Sequence, residues 1–154
     1  MAGVPSVIKI TRNGVEYTSK CDIAQYTIRQ LTRRAMQDVG RFVLYNVRRE
    51  VRGINRYLQK SKHAPNRYQM WIRKKENDLI LGIENTKQGA VSAWWADQAE
   101  LGTHNQPRRA ILHTTVMQNI RQIVEIESQY LEYMNDEGKA LDIARNTAEE
   151  DVAE

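Results

Sequence analysis

The sequence predicts an α+β fold in which a long N-terminal helix and a C-terminal helix pack on a small antiparallel β-sheet, with an N-terminal β-hairpin. Three observations predict it: an Asn-Gly pair between two β-favouring segments, two long segments with apolar residues at helical spacing, and short β-favouring segments between those two. The 154 residues, 41% of them hydrophobic and 27% charged, suit one globular domain. We expect a single domain over residues 1–135, with 7–19 as a hairpin appendage, and an acidic helix or tail over 136–154.

The hairpin is predicted from Asn13-Gly14, which separates residues 7–12 from residues 15–18. Asn-Gly accepts a positive φ at both central positions of a two-residue turn, which is what a tight hairpin requires. A two-stranded hairpin is only marginally stable in water by itself. We therefore expect it to pack on the domain or to pair with a neighbouring subunit.

The long helix is predicted over residues 23–58, where apolar residues recur at spacings of three and four. Asp22 is a candidate N-cap. Gly40 is a candidate for a bend, and Gly53 for an early end of the helix.

The middle of the chain predicts two antiparallel strands, residues 68–74 and 79–84, joined by turn-forming residues. A third strand is predicted from Ala90 through Trp94-Trp95, with the alternative that the chain turns helical before Glu100, because Ala96, Ala99 and Leu101 suit a helix equally well. On a strand, one tryptophan would enter the core and the other would face outward or into another subunit. A second amphipathic helix is predicted after Pro107 and is broken near Gly138.

Charge is distributed unevenly along the chain, although the formal net charge is only +4. Residues 20–75 hold fifteen Lys or Arg against three Asp or Glu, whereas residues 125–154 hold ten acidic residues against two basic ones. This asymmetry indicates a charged partner or self-complementary assembly, as in a closed ring, or two solvated faces of a monomer.

The sequence offers no candidate catalytic, metal-ligating or cofactor-binding residues, so we expect neither an enzyme nor a cofactor. Cys21 is the single cysteine, and the three histidines His63, His104 and His113 lack the spacing of a metal site. No segment approaches the ~20 apolar residues that cross a bilayer, and residues 1–5 lack the layout of a signal peptide. We expect a protein made and kept in a cytoplasm, with no membrane partner.

A basic face is predicted on the long helix, because arginines recur there near multiples of four. Such a face could neutralise phosphates, with an affinity that falls as salt rises. The alternative functional hypothesis is therefore a DNA-binding module without sequence specificity that uses helix 23–58; otherwise the face is solvated or pairs subunits. Its residues are Arg29, Arg33, Arg41, Arg48, Arg52 and Arg56.

The segment Ala99-Glu100-Leu101-Gly102-Thr103 precedes a short polar loop and then Pro107-Arg108-Arg109-Ala110-Ile111-Leu112. Gly102 suits a tight turn with positive φ, Thr103 or Asn105 a helix cap, and Pro107 the first turn of a helix. Glu100 is expected to pair with Arg108 or Arg109 of its own chain or with an arginine of an adjacent one.

These two segments, in the order strand, turn, proline and helix, resemble the signature of the head–tail joining or tail-completion proteins of long-tailed phages. Leu101 stands where that family has an aromatic residue, and Ala110-Ile111-Leu112 where it has Pro-Phe-Leu. The resemblance implies a structural virion protein of the neck that links the portal connector to the tail tube as a hexameric ring. It implies other neck and tail proteins as partners, DNA passing through the lumen unread, and location in the virion after assembly in the host cytoplasm.

The resemblance does not separate adaptor, stopper, completion and terminator rings. The candidate residues for the subunit interface are Trp94, Trp95, Glu100, Leu101, Gly102, Thr103, Arg108 and Arg109.

Overall fold

The computed structural model describes residues 4–58, 64–73, 76–84 and 90–153, and within these the side chains of all but 55–58, 90 and 150–153. The predicted α+β class is confirmed: helices dominate, and two small antiparallel sheets accompany them. The elements are β1 (Ile8–Arg12), β2 (Val15–Ser19), α1 (Cys21–Leu58), a 3₁₀ turn (Ala64–Arg67), β3 (Tyr68–Arg73), β4 (Asp78–Ile83), α2 (Ala90–Leu101), α3 (Ile111–Gln118), α4 (Ile120–Tyr133) and α5 (Glu137–Ala153).

The chain divides into two compact units, Met1–Ala35 with Glu127–Glu154, and Met36–Ile126. Helices α1 and α4 each have residues in both units. The predicted division into a domain over residues 1–135 and a C-terminal segment over 136–154 stays a prediction.

The predicted N-terminal hairpin is confirmed. Asn13 and Gly14 have φ values of 52° and 77°, so both central residues of the turn are left-handed, as a two-residue hairpin turn requires. The strands pair in antiparallel register from Ile8 opposite Ser19 to Arg12 opposite Val15.

The buried residues of the first unit lie near the beginning of α1 and along α5. Leu31 of α1 is fully buried, as are Ala144 and, almost completely, Thr147 of α5. Lys20 Nζ lies 2.9 Å from Glu137 Oε1, an ion pair between the residue before α1 and the first residue of α5. The acidic C-terminal segment is thus helical, one of the two predicted alternatives.

The core of the second unit forms around one face of α1, where buried valines recur every four residues and give the helix its inward stripe. The buried cluster consists of Val39, Val43, Leu44, Val47, Val51, Ala64, Tyr68, Ala96 and Ile111. Gly40 lets α1 approach β3 and β4, since a Cβ there would lie 2.6 Å from Met70 Sδ and 3.0 Å from a Leu79 methyl carbon. Helix α1 continues through both Gly40 and Gly53 to Leu58, so Gly53 does not end it early.

The predicted third strand from Ala90 through Trp94-Trp95 is wrong, because these residues are helical; the helix predicted as an alternative before Glu100 is the C-terminal part of α2. The reason is the spacing of its small residues: Ser92, Ala93 and Ala96 are all buried, which places them on one helical face against the core. Because that segment is helical, β3 and β4 form a two-stranded sheet of their own.

Helix boundaries in the C-terminal half also differ from prediction. Pro107 lies in an irregular segment, and α3 begins only at Ile111. The predicted single helix is interrupted at Asn119, whose side-chain Nδ2 donates to the Thr115 carbonyl at 2.7 Å. Gly138 lies inside the first turn of α5, and the second interruption falls just before it, at 134–136. At the other end of the chain, Asp22 lies inside the first turn of α1 rather than at its cap.

Candidate subunit interface

The segment after α2 is a sharply turned corner. Gly102 has a φ of +78°, which confirms the positive φ predicted for it. Thr103 and Gln106 exchange two backbone hydrogen bonds, of 2.9 and 3.2 Å, around His104-Asn105. A Cβ on Gly102 would lie 2.7 Å from the backbone nitrogen of Arg108, so the returning chain occupies the space that any other side chain would need.

The chain then returns along the end of α2. The N–H of Arg109 donates to the Ala99 carbonyl at 3.0 Å, and the N–H of Ala110 donates to the Glu100 carbonyl at 3.3 Å. Ala110 has a left-handed φ of 45° at the N-cap position of α3, where its own side chain makes no capping bond. The cap predicted from Thr103 or Asn105 is therefore wrong, because α3 begins only at Ile111 and Ala110 occupies its N-cap position.

Glu100 supplies that cap from the last turn of α2. Its Oε1 accepts a hydrogen bond of 3.0 Å from the backbone N–H of Leu112, the second residue of α3. The first N–H groups of a helix have no intrahelical acceptor, and a carboxylate there also meets the positive end of the helix dipole. The same Oε1 accepts a hydrogen bond of 3.1 Å from the hydroxyl of Tyr68. Tyr68 and Leu112, rather than the predicted Arg108 or Arg109, are thus the hydrogen-bond partners found for this carboxylate.

Tyr68 is fully buried at the start of β3. Burial, the negative charge of Glu100, the hydrogen bond to Glu100 and the charge of Asp97 all raise the pKa of the Tyr68 hydroxyl above its ordinary value. The phenol therefore keeps its proton and remains a donor. The arrangement joins β3, α2 and α3 through one carboxylate oxygen, which makes it a structural junction.

Outside this junction, α2 presents an apolar strip to solvent. We call Val91, Trp94 and Leu101 the α2 strip; their spacing of three and seven places them on one side of the helix. Their exposed fractions are 71%, 52% and 73%. Trp94 contacts half-buried Trp95 edge to face, with ring centroids 4.6 Å apart and an interplanar angle of 70°. The expectation that the two tryptophans point to opposite faces rested on a strand and is wrong, because neighbours on a helix are only about 100° apart.

The remaining interface candidates lie beside the strip. Thr103, Arg108 and Arg109 are exposed, whereas Glu100 and Gly102 are half-buried within the corner. Trp94, Leu101 and the two arginines therefore lie at the surface. Glu100 and Gly102 instead fix the backbone conformation of the corner.

The arginines of the basic face have different environments. Arg29, Arg41 and Arg52 are exposed, and Arg33 is half-buried. The side chain of Arg56 lies outside the described residues. Arg41 Nη1 lies 3.5 Å from Asp38 Oδ1, one helical turn back.

Arg48 is directed toward β3 rather than toward solvent. Its Nη2 donates to the Tyr68 carbonyl at 2.9 Å and to Gln69 Oε1 at 3.4 Å. It thereby holds α1 against the start of the strand that carries the junction tyrosine.

Among the described residues, no group of three His, Cys, Asp or Glu side chains is placed to hold a metal ion. Cys21 forms no disulfide bond and is exposed, and His104 and His113 are exposed as well. His63 lies outside the described residues. None of the helices that the structure describes has both the length and the apolar character needed to cross a bilayer.

Comparisons with protein-family models, curated proteins and solved structures found no match for this chain.

Sequence reasoning missed Tyr68 and Leu112 as partners of Glu100, and Val91 as part of the α2 strip. One signal was present: a buried tyrosine needs an acceptor for its hydroxyl. The acceptor lies 32 residues further along the chain, which local pattern does not reveal. Val91 was missed because the segment was treated as a strand.

Proposed function

We propose that this chain is a structural virion protein of the phage neck, a head–tail joining or tail-completion subunit that assembles as a ring between the portal connector and the tail tube. The single observation that carries the proposal is the α2 strip: Trp94, flanked by Val91 and Leu101, stands exposed on a helix whose end is fixed by the Glu100 junction.

Three large apolar side chains on one side of a short helix are more than the scattered exposed residues of an ordinary surface. Clustered exposed apolar side chains mark sites where another macromolecule binds. Tryptophan is enriched among the residues that contribute most to such binding. An assembly subunit needs a surface of this kind, whereas an enzyme or a small-molecule carrier needs a concave pocket with a few well-placed polar groups.

The corner next to the strip is already shaped before any partner binds. Gly102 is closely packed against Arg108, and Oε1 of Glu100 joins α2 to α3. A surface that is ordered in the free protein loses little conformational entropy on association. Exposed Arg108 and Arg109 then supply charge at the edge of an apolar contact, the usual arrangement at protein interfaces.

The proposed assembly is a hexameric ring, with other neck and tail proteins bound above and below and DNA passing unread through the lumen. Stoichiometry and neighbours come from the resemblance to tail-completion proteins. The charge asymmetry along the sequence supports self-assembly, because a ring brings one surface of a subunit against a different surface of the next.

The alternative, a DNA-binding module, has less support from the placement of its arginines. Arg48 donates to the Tyr68 carbonyl, and Arg41 lies beside Asp38. Phosphate binding would require these side chains to give up contacts within the protein. Arg29 and Arg52 are exposed, so their side chains remain available to bind a phosphate.

The test is the mass of the purified protein by light scattering at about 0.15 M and about 0.5 M salt, with negative-stain images of the same samples, alone and mixed with candidate neck partners. Rings are expected, alone or on a partner. Trp94→Ala should weaken assembly, whereas Tyr45→Ala, which removes another exposed aromatic side chain, from α1, should not.

A protein that stays monomeric with every neck partner, and retards duplex DNA in a salt-sensitive way, would contradict the ring and favour the DNA module.

A further inference from the structure

A polar pocket lies along the first turns of α1, within the first compact unit. Its volume is about 350 Å³, within the range of sites that hold small ligands or a short piece of chain. Its lining residues on α1 recur at spacings of three and four, so they share one side of the helix, and Pro5 adds to the lining from the segment before β1. The residues that α1 contributes are Asp22, Gln25, Tyr26, Arg29, Gln30 and Arg33.

The pocket carries an excess of positive charge at one end. Arg29 and Arg33 lie one helical turn apart, whereas Asp22, the single carboxylate among the described lining residues, lies about two turns before Arg29. Arg29 is exposed, and a guanidinium binds a carboxylate or a phosphate through two parallel hydrogen bonds. This end of the pocket therefore suits an anionic group.

Gln30 gives the pocket an unused hydrogen-bond acceptor. Only 7% of this residue is exposed, and its Oε1 has no hydrogen-bond partner in the part of the chain that the structure describes. A buried acceptor without a donor is destabilising, and such groups are uncommon in folded proteins. A half-turn of the terminal amide exchanges Oε1 with Nε2, so this acceptor can face a ligand that brings an N–H group.

The acceptors in the pocket distinguish between the two common kinds of anionic polymer. The phosphodiester backbone of DNA has no hydrogen-bond donor, so it would leave Gln30 Oε1 unpaired and would be repelled by Asp22. A polypeptide with Asp or Glu side chains offers carboxylates to the arginines and backbone N–H groups to Gln30 and Asp22. Half-buried Tyr26 and Pro5 add apolar surface on which such a segment can pack.

We propose that this pocket binds an acidic peptide segment of a partner protein, with a carboxylate of that segment on Arg29 and Arg33 and one of its backbone N–H groups on Gln30. The inference goes beyond the ring of the proposed function and does not depend on it, because no residue belongs to both the pocket and the α2 strip.

The experiment titrates the full chain into a fluorescein-labelled peptide of alternating glutamate and glycine, about ten residues long, and follows the fluorescence anisotropy. The same peptide with glutamine in place of glutamate tests the need for carboxylates. A labelled oligothymidylate of equal net charge tests whether a phosphodiester binds instead.

Two variants of the chain test the two parts of the site, and each has a matched control on α1. Arg29→Gln removes a cation, and its control is Arg52→Gln, at another exposed position. Gln30→Leu removes the acceptor, and its control is Gln37→Leu. Gln37 is buried as well, and its Oε1 is also without a partner among the described residues, but Gln37 does not line the pocket.

The glutamate peptide is expected to bind with a Kd below about 1 mM, which Arg29→Gln should raise about tenfold and Gln30→Leu about fivefold. Both control variants should bind as the wild type does. Thermal unfolding of Gln30→Leu, followed by circular dichroism, should show no loss of stability, because the change removes a buried acceptor that has no partner. A merely structural glutamine would instead lower the midpoint and leave peptide binding unchanged.

Four outcomes would overturn the inference: no binding of the glutamate peptide at about 1 mM, equal binding of the glutamine peptide, tighter binding of the oligothymidylate, or equal weakening by the pocket variants and their controls. Rings formed by a chain that fails this peptide test would leave the neck function standing. Peptide binding by a chain that never forms rings would leave the pocket standing and count against the ring.

Discussion

The hydroxyl of Tyr68 donates a 3.1 Å hydrogen bond to Oε1 of Glu100, the same oxygen that caps α3 through the N–H of Leu112. Tyr68 belongs to β3 and Glu100 to α2, so one carboxylate oxygen connects three elements of the second compact unit. The hydrogen bond lies directly beneath the corner that precedes α3. The stability of this unit should therefore depend on both side chains.

Tyr68→Phe should lower the free energy of unfolding by about 1–2 kcal/mol, because it removes a buried hydrogen bond to a charged acceptor without changing shape. Urea unfolding followed by circular dichroism measures it. Tyr45→Phe, at an exposed position on α1, is the control and should stay within about 0.5 kcal/mol. An equal effect from both variants would mean that the hydrogen bond contributes nothing specific.

The same junction should make stability fall in alkali. The pKa of Tyr68 is raised by folding, so the native chain holds a proton that the unfolded chain releases. The contribution is fully present below the unfolded pKa of about 10 and is lost as pH rises above it. Unfolding free energies measured from about pH 8 to 11 should fall less steeply for Tyr68→Phe than for the wild type. Tyr45→Phe should follow the wild type, and identical slopes for all three proteins would refute the idea.

Gly102→Ala should be strongly destabilising, by about 2 kcal/mol or more. The new Cβ would sit in a left-handed conformation and within 2.7 Å of the backbone nitrogen of Arg108, where no flexible side chain can yield. Gly53→Ala is the matched control: Gly53 is an exposed helical position, and a Cβ there meets nothing within 4 Å. That change should stabilise by roughly 0.5–1 kcal/mol. Thermal unfolding midpoints that move the same way for both would contradict this reading of the corner.

Arg48→Ala and Arg52→Ala should differ in their effect on the free energy of unfolding, because Arg48 contacts β3 whereas Arg52 is exposed. Arg48→Ala removes the donor to the Tyr68 carbonyl and should cost about 1–2 kcal/mol of stability. Arg52 is exposed, so its loss should change stability by less than about 0.5 kcal/mol.

The DNA-binding alternative makes its own prediction for the same pair. It expects Arg52→Ala to weaken DNA retardation and to reduce its salt dependence. No change in DNA retention for Arg52→Ala would weigh against a role of this arginine in phosphate binding.

Local signals were sufficient for the hairpin and for the long helix α1. Asn13-Gly14 determines its own turn, because only a few residues accept positive φ at two successive positions. The stripe of apolar residues from Val39 to Val51 determines a helix and the face it buries. The α+β class followed from these local patterns.

Local sequence signals did not determine the secondary structure of the α2 segment. The sequence favoured a strand through Trp94-Trp95, whereas the packing of Ser92, Ala93 and Ala96 against the core selects a helix. That choice also determines which tryptophan is exposed. The sequence alone therefore could not show that Trp94 would be the tryptophan exposed for the predicted subunit interface.

The sequence by itself determined the turns, the helical periodicity and the separation of charge, because each depends on residues close together in the chain. Only the tertiary structure decided that Glu100 binds Tyr68 and Leu112, that Arg48 turns inward, and that the α2 strip stays uncovered. The physical reason is that a hydrogen-bond partner or a covering surface is a relation between distant residues, and that relation exists only once the chain has packed.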